Sequence, residues 1–224
     1  MKRTFLCITG LLFIIITITE AFGVNVPLGK GGKMSFDNTI VALGDSLTEG
    51  FGVKKNEAYP ARLEKKIQEA GYQWKVVNAG ISGETSNETL KRLQQILGLH
   101  PSIVILEIGV NDGFMGVDPQ IIRGNIEKIV HILKDHNITV VLAGMRMFDN
   151  IRMDYNNSFA GIYPEVAQKH GLILIPYFLE GVAGNPTLNR LDGIHPNPNG
   201  YRIVVDTIFP YVKKAIESKK MERN

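Results

Sequence analysis

Five short β-rich runs alternate with helical patterns from residue 38 onward, and this alternation limits the fold more than any other feature of the chain. The runs cover residues 39–43, 75–78, 103–108, 139–143 and 172–175. Between them, residues 60–70 open with Pro60 in a first-turn position and close at Gly71. Asp118-Pro119 starts a helical pattern to about His136, with Ile122, Ile126, Ile129 and Leu133 on one face. Residues 155–170 end at Gly171, and a last helix follows Pro198 with Ile203, Val204, Ile208 and Val212 inward. Nearly all-apolar strands separated by helices predict a parallel sheet covered on both faces. Right-handed crossovers then favour an α/β fold, a three-layer α/β/α sandwich with a flavodoxin-like five-stranded parallel sheet of order 2-1-3-4-5.

With 224 residues and 44% hydrophobic residues, the chain can bury one ordinary core. A net charge of +3 from 25 basic and 22 acidic residues gives no reason to expect a nucleic-acid partner. The N-terminus reads separately. Lys2 and Arg3 precede an apolar stretch over residues 5–19, followed by the small residues Ala21 and Gly23. That stretch is short against the roughly 20 apolar residues of a spanning helix. It predicts a signal peptide over residues 1–23, an exported periplasmic or secreted product, and no stable membrane insertion after cleavage. The competing expectation is an uncleaved anchor. Residues 24–37, rich in Gly and Lys, read as a linker, residues 38–217 as the folded domain, and residues 218–224 as a tail. Gly29-Lys30-Gly31-Gly32 lacks the spacing and preceding strand of a phosphate loop. Cys7, the single cysteine, lies in the apolar stretch, so the mature chain has neither disulfide nor cysteine nucleophile. No His/Asp/Glu/Cys set has ligand spacing, and neither metal nor other cofactor is expected. A monomer acting on a small-molecule substrate is the expected working unit.

Chemistry collects where strands end. "ALGDSLTEGFG" (42–52) runs from the first strand into Gly44-Asp45-Ser46. "NAGISGETS" (78–86) follows the second strand, "EIGVNDG" (107–113) the third, and "DGIHPNPNG" (192–200) precedes the last helix. In a doubly wound sheet these segments share the ligand-binding edge. Asp192 and His195 are spaced so that a carboxylate can fix the imidazole tautomer, leaving the other ring nitrogen to take a proton from Ser46. A tetrahedral intermediate needs donors, for which Ser46 N–H, Gly83 N–H and the Asn111 amide are candidates. Gly83 is expected where a side chain would obstruct backbone approach. Residues 47–49 are expected to begin a short helical turn, and Asp45 and Asp112 to organise loops. Taken singly, each of these has a bland alternative: a turn serine, a loop contact, a turn glycine, an Asx turn.

Together the four stretches resemble the four blocks of the SGNH (GDSL) hydrolases. G-D-S-L stands at 44–47, Gly83 lies in the second block, G-x-N-D stands at 109–112 and D-x-x-H-P at 192–196. The resemblance covers about residues 38–215 and is strongest to the bacterial periplasmic thioesterase, lysophospholipase and arylesterase branch. It implies a metal-free serine esterase acting on acyl esters, thioesters or lysophospholipids. Ser46 is then the nucleophile, His195 the general base and acid, Asp192 the orienting acid, and Ser46 N–H, Gly83 and Asn111 the oxyanion hole. The apolar, glycine-flanked stretch 113–117 is expected to be a loop whose Phe114, Met115 and Val117 line an acyl groove, with Phe148, Ile151 and Met153 as extensions. The alternatives are a carbohydrate or cell-wall O-deacetylase of the same superfamily and a non-enzymatic binding module on the same fold.

Overall fold

The structure is a computed structural model, and it describes residues 38–147 and 153–222. The expected signal, the linker, Phe148 and Ile151 lie outside these residues.

Five strands pair in parallel in the order β2-β1-β3-β4-β5, as expected from the sequence. They are β1 (Thr39–Gly44), β2 (Lys75–Gly80), β3 (Ile103–Glu107), β4 (Thr139–Ala143) and β5 (Ile173–Ile175). Ile40 of β1 is in register with Val76 of β2 on one side and Ile103 of β3 on the other. The central strands β1 and β3 are almost wholly buried, which is why they read as unbroken Val/Ile/Leu runs. Edge strand β2 has no fully buried position, and its two exposed positions carry Lys75 and Asn78.

The connections set the layers. The chain moves one way from β1 to β2 through α2 (Tyr59–Glu69). It moves the other way from β3 to β4 through α6 (Pro119–Asp135), and on to β5 through α7 (Met153–His170). Right-handed crossovers in opposite directions cover opposite faces. Accordingly α2 packs with the last helix, α8 (Pro198–Met221), and α6 packs with α7 and with α3 (Ser86–Lys91). The inward stripe of α6 is the expected one: Ile122, Ile126, Ile129 and Leu133 are buried. The direction reverses at β1, so the segments after β1 and β3 diverge from adjacent strand ends and leave an edge for function.

Two segments depart from the sequence expectation, and a third, on which the sequence reading is silent, is helical. Helix α8 runs on to Met221, so residues 218–221 belong to it and not to a tail. After β2 the chain forms α3 and α4 (Leu93–Leu97). The start of α3 is a capping box: Thr85 takes the Glu88 N–H while the Glu88 carboxylate takes the Thr85 N–H. The expected loop at 113–117 begins instead as α5 (Val110–Phe114). Gly113 is there for close packing, since an added Cβ would lie 2.4 Å from Met147 Sδ. Among the described residues no helix is long and apolar enough to cross a membrane.

Candidate active site

Strand β1 ends at Gly44 and the chain turns at once into α1 (Ser46–Glu49). Asp45 caps this short helix by accepting the Leu47 N–H on Oδ1 at 2.9 Å. Capping by Asp45 leaves the Ser46 hydroxyl free for other work. Tyr201 of α8 holds the turn from beneath, its hydroxyl donating to Leu47 O at 2.9 Å.

Across the chain, Ser46 Oγ lies 2.9 Å from His195 Nε2, and His195 Nδ1 lies 3.0 Å from Asp192 Oδ2. The second oxygen of Asp192 accepts the backbone N–H groups of Ile194 and His195, both at 2.9 Å. Partial burial works upward on this carboxyl. The two backbone donors and the imidazole outweigh it and hold Asp192 below the ordinary aspartate range. An ionised Asp192 fixes Nδ1 as the protonated nitrogen and leaves Nε2 to accept from the serine.

Two residues that no sequence motif singles out complete this side. The Phe51 ring packs against the His195 ring with centroids 4.8 Å apart. The Arg190 guanidinium lies over Phe51, donates to Gly52 O, and has Nε 3.8 Å from Asp192 Oδ2. Arg190 therefore ties the segment after α1 to the Asp192–His195 turn. No local sequence pattern marks it, because its contact with Gly52 joins positions 138 residues apart.

The second and third blocks meet through buried polar contacts. Ser86 gives its N–H and hydroxyl to the two oxygens of Asp112, at 2.8 and 2.7 Å. Asn125 of α6 donates to the same hydroxyl at 3.0 Å. Glu84, buried, is paired with Arg92, which also donates to Ala79 O at 2.7 Å. Asn111 Nδ2 donates to Glu84 O at 2.9 Å and to Asp45 Oδ2 at 3.2 Å. The structure thus brings Asn111 to the nucleophile turn, with its amide hydrogens engaged.

Gly83 corrects an expectation. A Cβ there would meet nothing within 4 Å, so crowding is not what requires glycine. The reason is its φ of +81°, in the left-handed region. Among the described residues, the Ser46 and Gly83 N–H groups donate to no backbone carbonyl. Phe114 and Met115 are exposed, at 44% and 69%. Val117 is instead partly buried against the core, and its carbonyl accepts the Tyr155 hydroxyl at 2.6 Å, so it is anchored and not an open wall. Among the described residues no cluster of three or more His, Cys, Asp or Glu could hold a metal ion.

A serine, an imidazole and an ionised carboxylate thus stand in a hydrogen-bonded row at the parallel-sheet edge. Comparisons with known proteins define the family. The family of GDSL-like lipases and acylhydrolases matches residues 42–203. An arylesterase of Vibrio mimicus is 36% identical over 178 residues, covering 79% of this chain and 89% of the relative. Thioesterase 1/protease 1/lysophospholipase L1 of Escherichia coli K12 is 37% identical over 170 residues, covering 75% and 80%. The crystal structure of TesA superposes with a TM-score of 0.77 at 32% identity, covering 79% of this chain and 99% of that one. The chain belongs to the GDSL-like lipase/acylhydrolase family, and it is a carboxylic ester hydrolase.

Proposed function

We propose that the chain is an exported serine esterase that cleaves acyl esters, thioesters or lysophospholipids through an acyl-enzyme on Ser46. The observation that carries this reading is the unbroken row Ser46 Oγ, His195 Nε2, His195 Nδ1, Asp192 Oδ2, with steps of 2.9 and 3.0 Å. His195 takes the Ser46 proton as Oγ attacks the carbonyl carbon, then gives it to the leaving oxygen or sulfur. Water attacks the acyl-enzyme by the same route in reverse roles. Ser46 N–H, Gly83 N–H and Asn111 Nδ2 serve the oxyanion, Asn111 by sharing the hydrogen of its longer bond to Asp45. Export rests on the basic start and the apolar stretch of residues 5–19.

A fluorophosphonate probe tests the assignment. Stoichiometric labelling found on Ser46 by peptide mass spectrometry is expected, and label on another residue or none at all would remove Ser46 from the mechanism.

Substrate choice follows from the apolar side chains near the site. Phe114 and Met115 are exposed on the segment that carries Asn111, so an acyl chain can cover them. Covering gains roughly 0.8 kcal/mol for each buried CH₂. Medium-length acyl esters are expected to exceed acetate by about 10–10²-fold in kcat/KM, from burial of about two to four methylenes. Changing both Phe114 and Met115 to serine removes exposed groups, so the fold stays. Most of the preference is expected to vanish while acetate hydrolysis holds. A wild-type preference for acetate would instead favour the O-deacetylase reading.

A further inference from the structure

Beneath the nucleophile turn lie two carboxyl groups that the mechanism above does not use. Asp45 and Glu107 are both 0% exposed. Asp45 accepts from Leu47 N–H on one oxygen and from Asn111 Nδ2 on the other. Glu107, the last residue of β3, accepts from Thr48 Oγ1 on Oε2 at 2.8 Å. Its Oε1 is buried and meets no donor. Gly44 is in register with Glu107 across the β1–β3 ladder and the Glu107 carboxyl lies against it, so Asp45, the next residue, leaves the strand beside that carboxyl.

Among the described residues no cation is paired with either carboxyl. Helix α1 contributes Thr48, and α2 contributes Tyr59, whose hydroxyl is 3.4 Å from Thr48 Oγ1. Tyr201 of α8 and Tyr163 of α7 donate to Leu47 O and Ile108 O. Burial holds all three phenols above their ordinary value, so they are neutral. Glu84 and Asp112 add negative charge, and the cation beside Glu84, Arg92, is already bound to it. Arg190 reaches Tyr201 electrostatically but is engaged with Gly52 and Asp192. Two like charges at such depth do not both persist, and a proton is the remaining neutraliser.

The hydrogen bonds say where that proton sits. Both oxygens of Asp45 carry a donor, whereas Glu107, with Thr48 Oγ1 and the nearby Asp45 N–H, still has Oε1 left without a partner. A proton on Glu107 relieves the orphan oxygen's carboxylate charge and supplies Asp45 with a further donor. We propose that Glu107 is a positioning residue of the active site: a neutral carboxylic acid that donates to Asp45, and so holds the Asp45 carboxylate where it caps α1 and orients the Asn111 amide. The oxyanion part of this role rests on the function proposed above. The same hydrogen bond tempers the demand of Asp45 on the Asn111 hydrogen, which the oxyanion must share. Burial pushes both carboxyls up, Asp45 to about 7 and Glu107 well above the ordinary glutamate range, and their interaction favours the proton on Glu107.

The sign of the pH effect follows. The folded chain keeps a proton on Glu107 that the unfolded chain releases above the ordinary glutamate range. The native state then binds more protons, so stability falls as pH rises from that range toward the raised folded value.

The test compares Glu107→Gln and Glu107→Ala with wild type, following Tm between about pH 5 and pH 9 together with ester kinetics. Glutamine can donate to Asp45 and accept from Thr48 without titrating. Its kcat at neutral pH is expected within about threefold of wild type, with a flatter decline of Tm toward alkaline pH. Alanine removes both bonds, and kcat is expected to fall about 10–10²-fold with KM nearly unchanged, because an oxyanion donor acts in the transition state. A glutamine variant as impaired as alanine, or one with the wild-type slope of Tm against pH, overturns the proposal. If alanine fails to fold, the glutamine variant still decides through its kcat and its Tm profile. Unchanged kcat in Glu107→Ala overturns the link to Asn111. Failure of the esterase reading would show instead as absent labelling of Ser46.

Discussion

Replacing Ser46 by alanine is expected to lower ester hydrolysis by about 10⁵–10⁶-fold while leaving the fold in place. The size of the loss follows from the geometry. Ser46 Oγ is the atom facing His195 Nε2, so its removal leaves the imidazole and Asp192 with no nucleophile to activate. Survival of the fold follows from the division of labour in the turn. Asp45 supplies the cap of α1, and Leu47 and Thr48 supply its buried side chains. Ser46 contributes only a partly exposed hydroxyl, so stability should change by less than about 1 kcal/mol. Turnover of p-nitrophenyl butyrate, with circular dichroism as the control, checks both halves. A folded variant that keeps more than roughly 1% of wild-type turnover would show that another group performs the attack.

The sheet was legible because its central strands are buried on both faces and must read as apolar runs. β2 was legible too, despite Lys75 and Asn78, through its position between a helix ending near Gly71 and a glycine-rich turn. The stretch after Ser86 was less so. Its two short helices are too brief for a periodic stripe, and the one usable signal was Thr85 followed by Glu88. At 113–117 the glycines pointed to a loop, but Gly113 answers to the sulfur of Met147 and not to turning of the chain. A glycine chosen for close packing looks in sequence like one chosen for φ.

The same contrast runs through the site. Ser46, Gly83, Asn111, Asp192 and His195 sit in short blocks whose residue types carry their chemistry, so they can be picked out before any fold is known. Phe51 and Arg190 act only because two distant turns meet, and no spacing announces that. Glu107 left a fainter trace: a carboxyl at the end of an otherwise apolar strand, in a sheet buried on both faces, has to find a partner or a proton. The fold supplies Asp45 as that partner.

Gly44 is where sheet and site depend on the same small volume. A Cβ added there would lie 2.2 Å from Thr48 Oγ1, 2.4 Å from the backbone oxygen of Glu107 and 2.7 Å from Glu107 Oε2. Its φ is not in the left-handed region, so room, and not backbone strain, is what excludes a side chain. Thr48 could rotate away only by giving up its bond to Glu107, and the β3 backbone is fixed by its pairing with β1. Gly44→Ala must therefore push α1 off the strand end and carry Ser46 with it. Stability is expected to drop by about 2–4 kcal/mol, the range for overpacking combined with a broken buried hydrogen bond. A displacement of the nucleophile by about 1 Å is enough to cost about 10²-fold in kcat. Gly71→Ala, after α2 and outside the site, is the internal control, because that position has open space and a φ of +86°, so only conformational strain of about 1 kcal/mol is added. Thermal melts and single-substrate kinetics on the two variants measure the difference. A Gly44→Ala protein that melts with the wild type and keeps its kcat would mean that α1 can lift from β3 without disturbing Ser46. In that event the buried layer of Thr48, Glu107 and Asp45 would not be what holds the nucleophile in place.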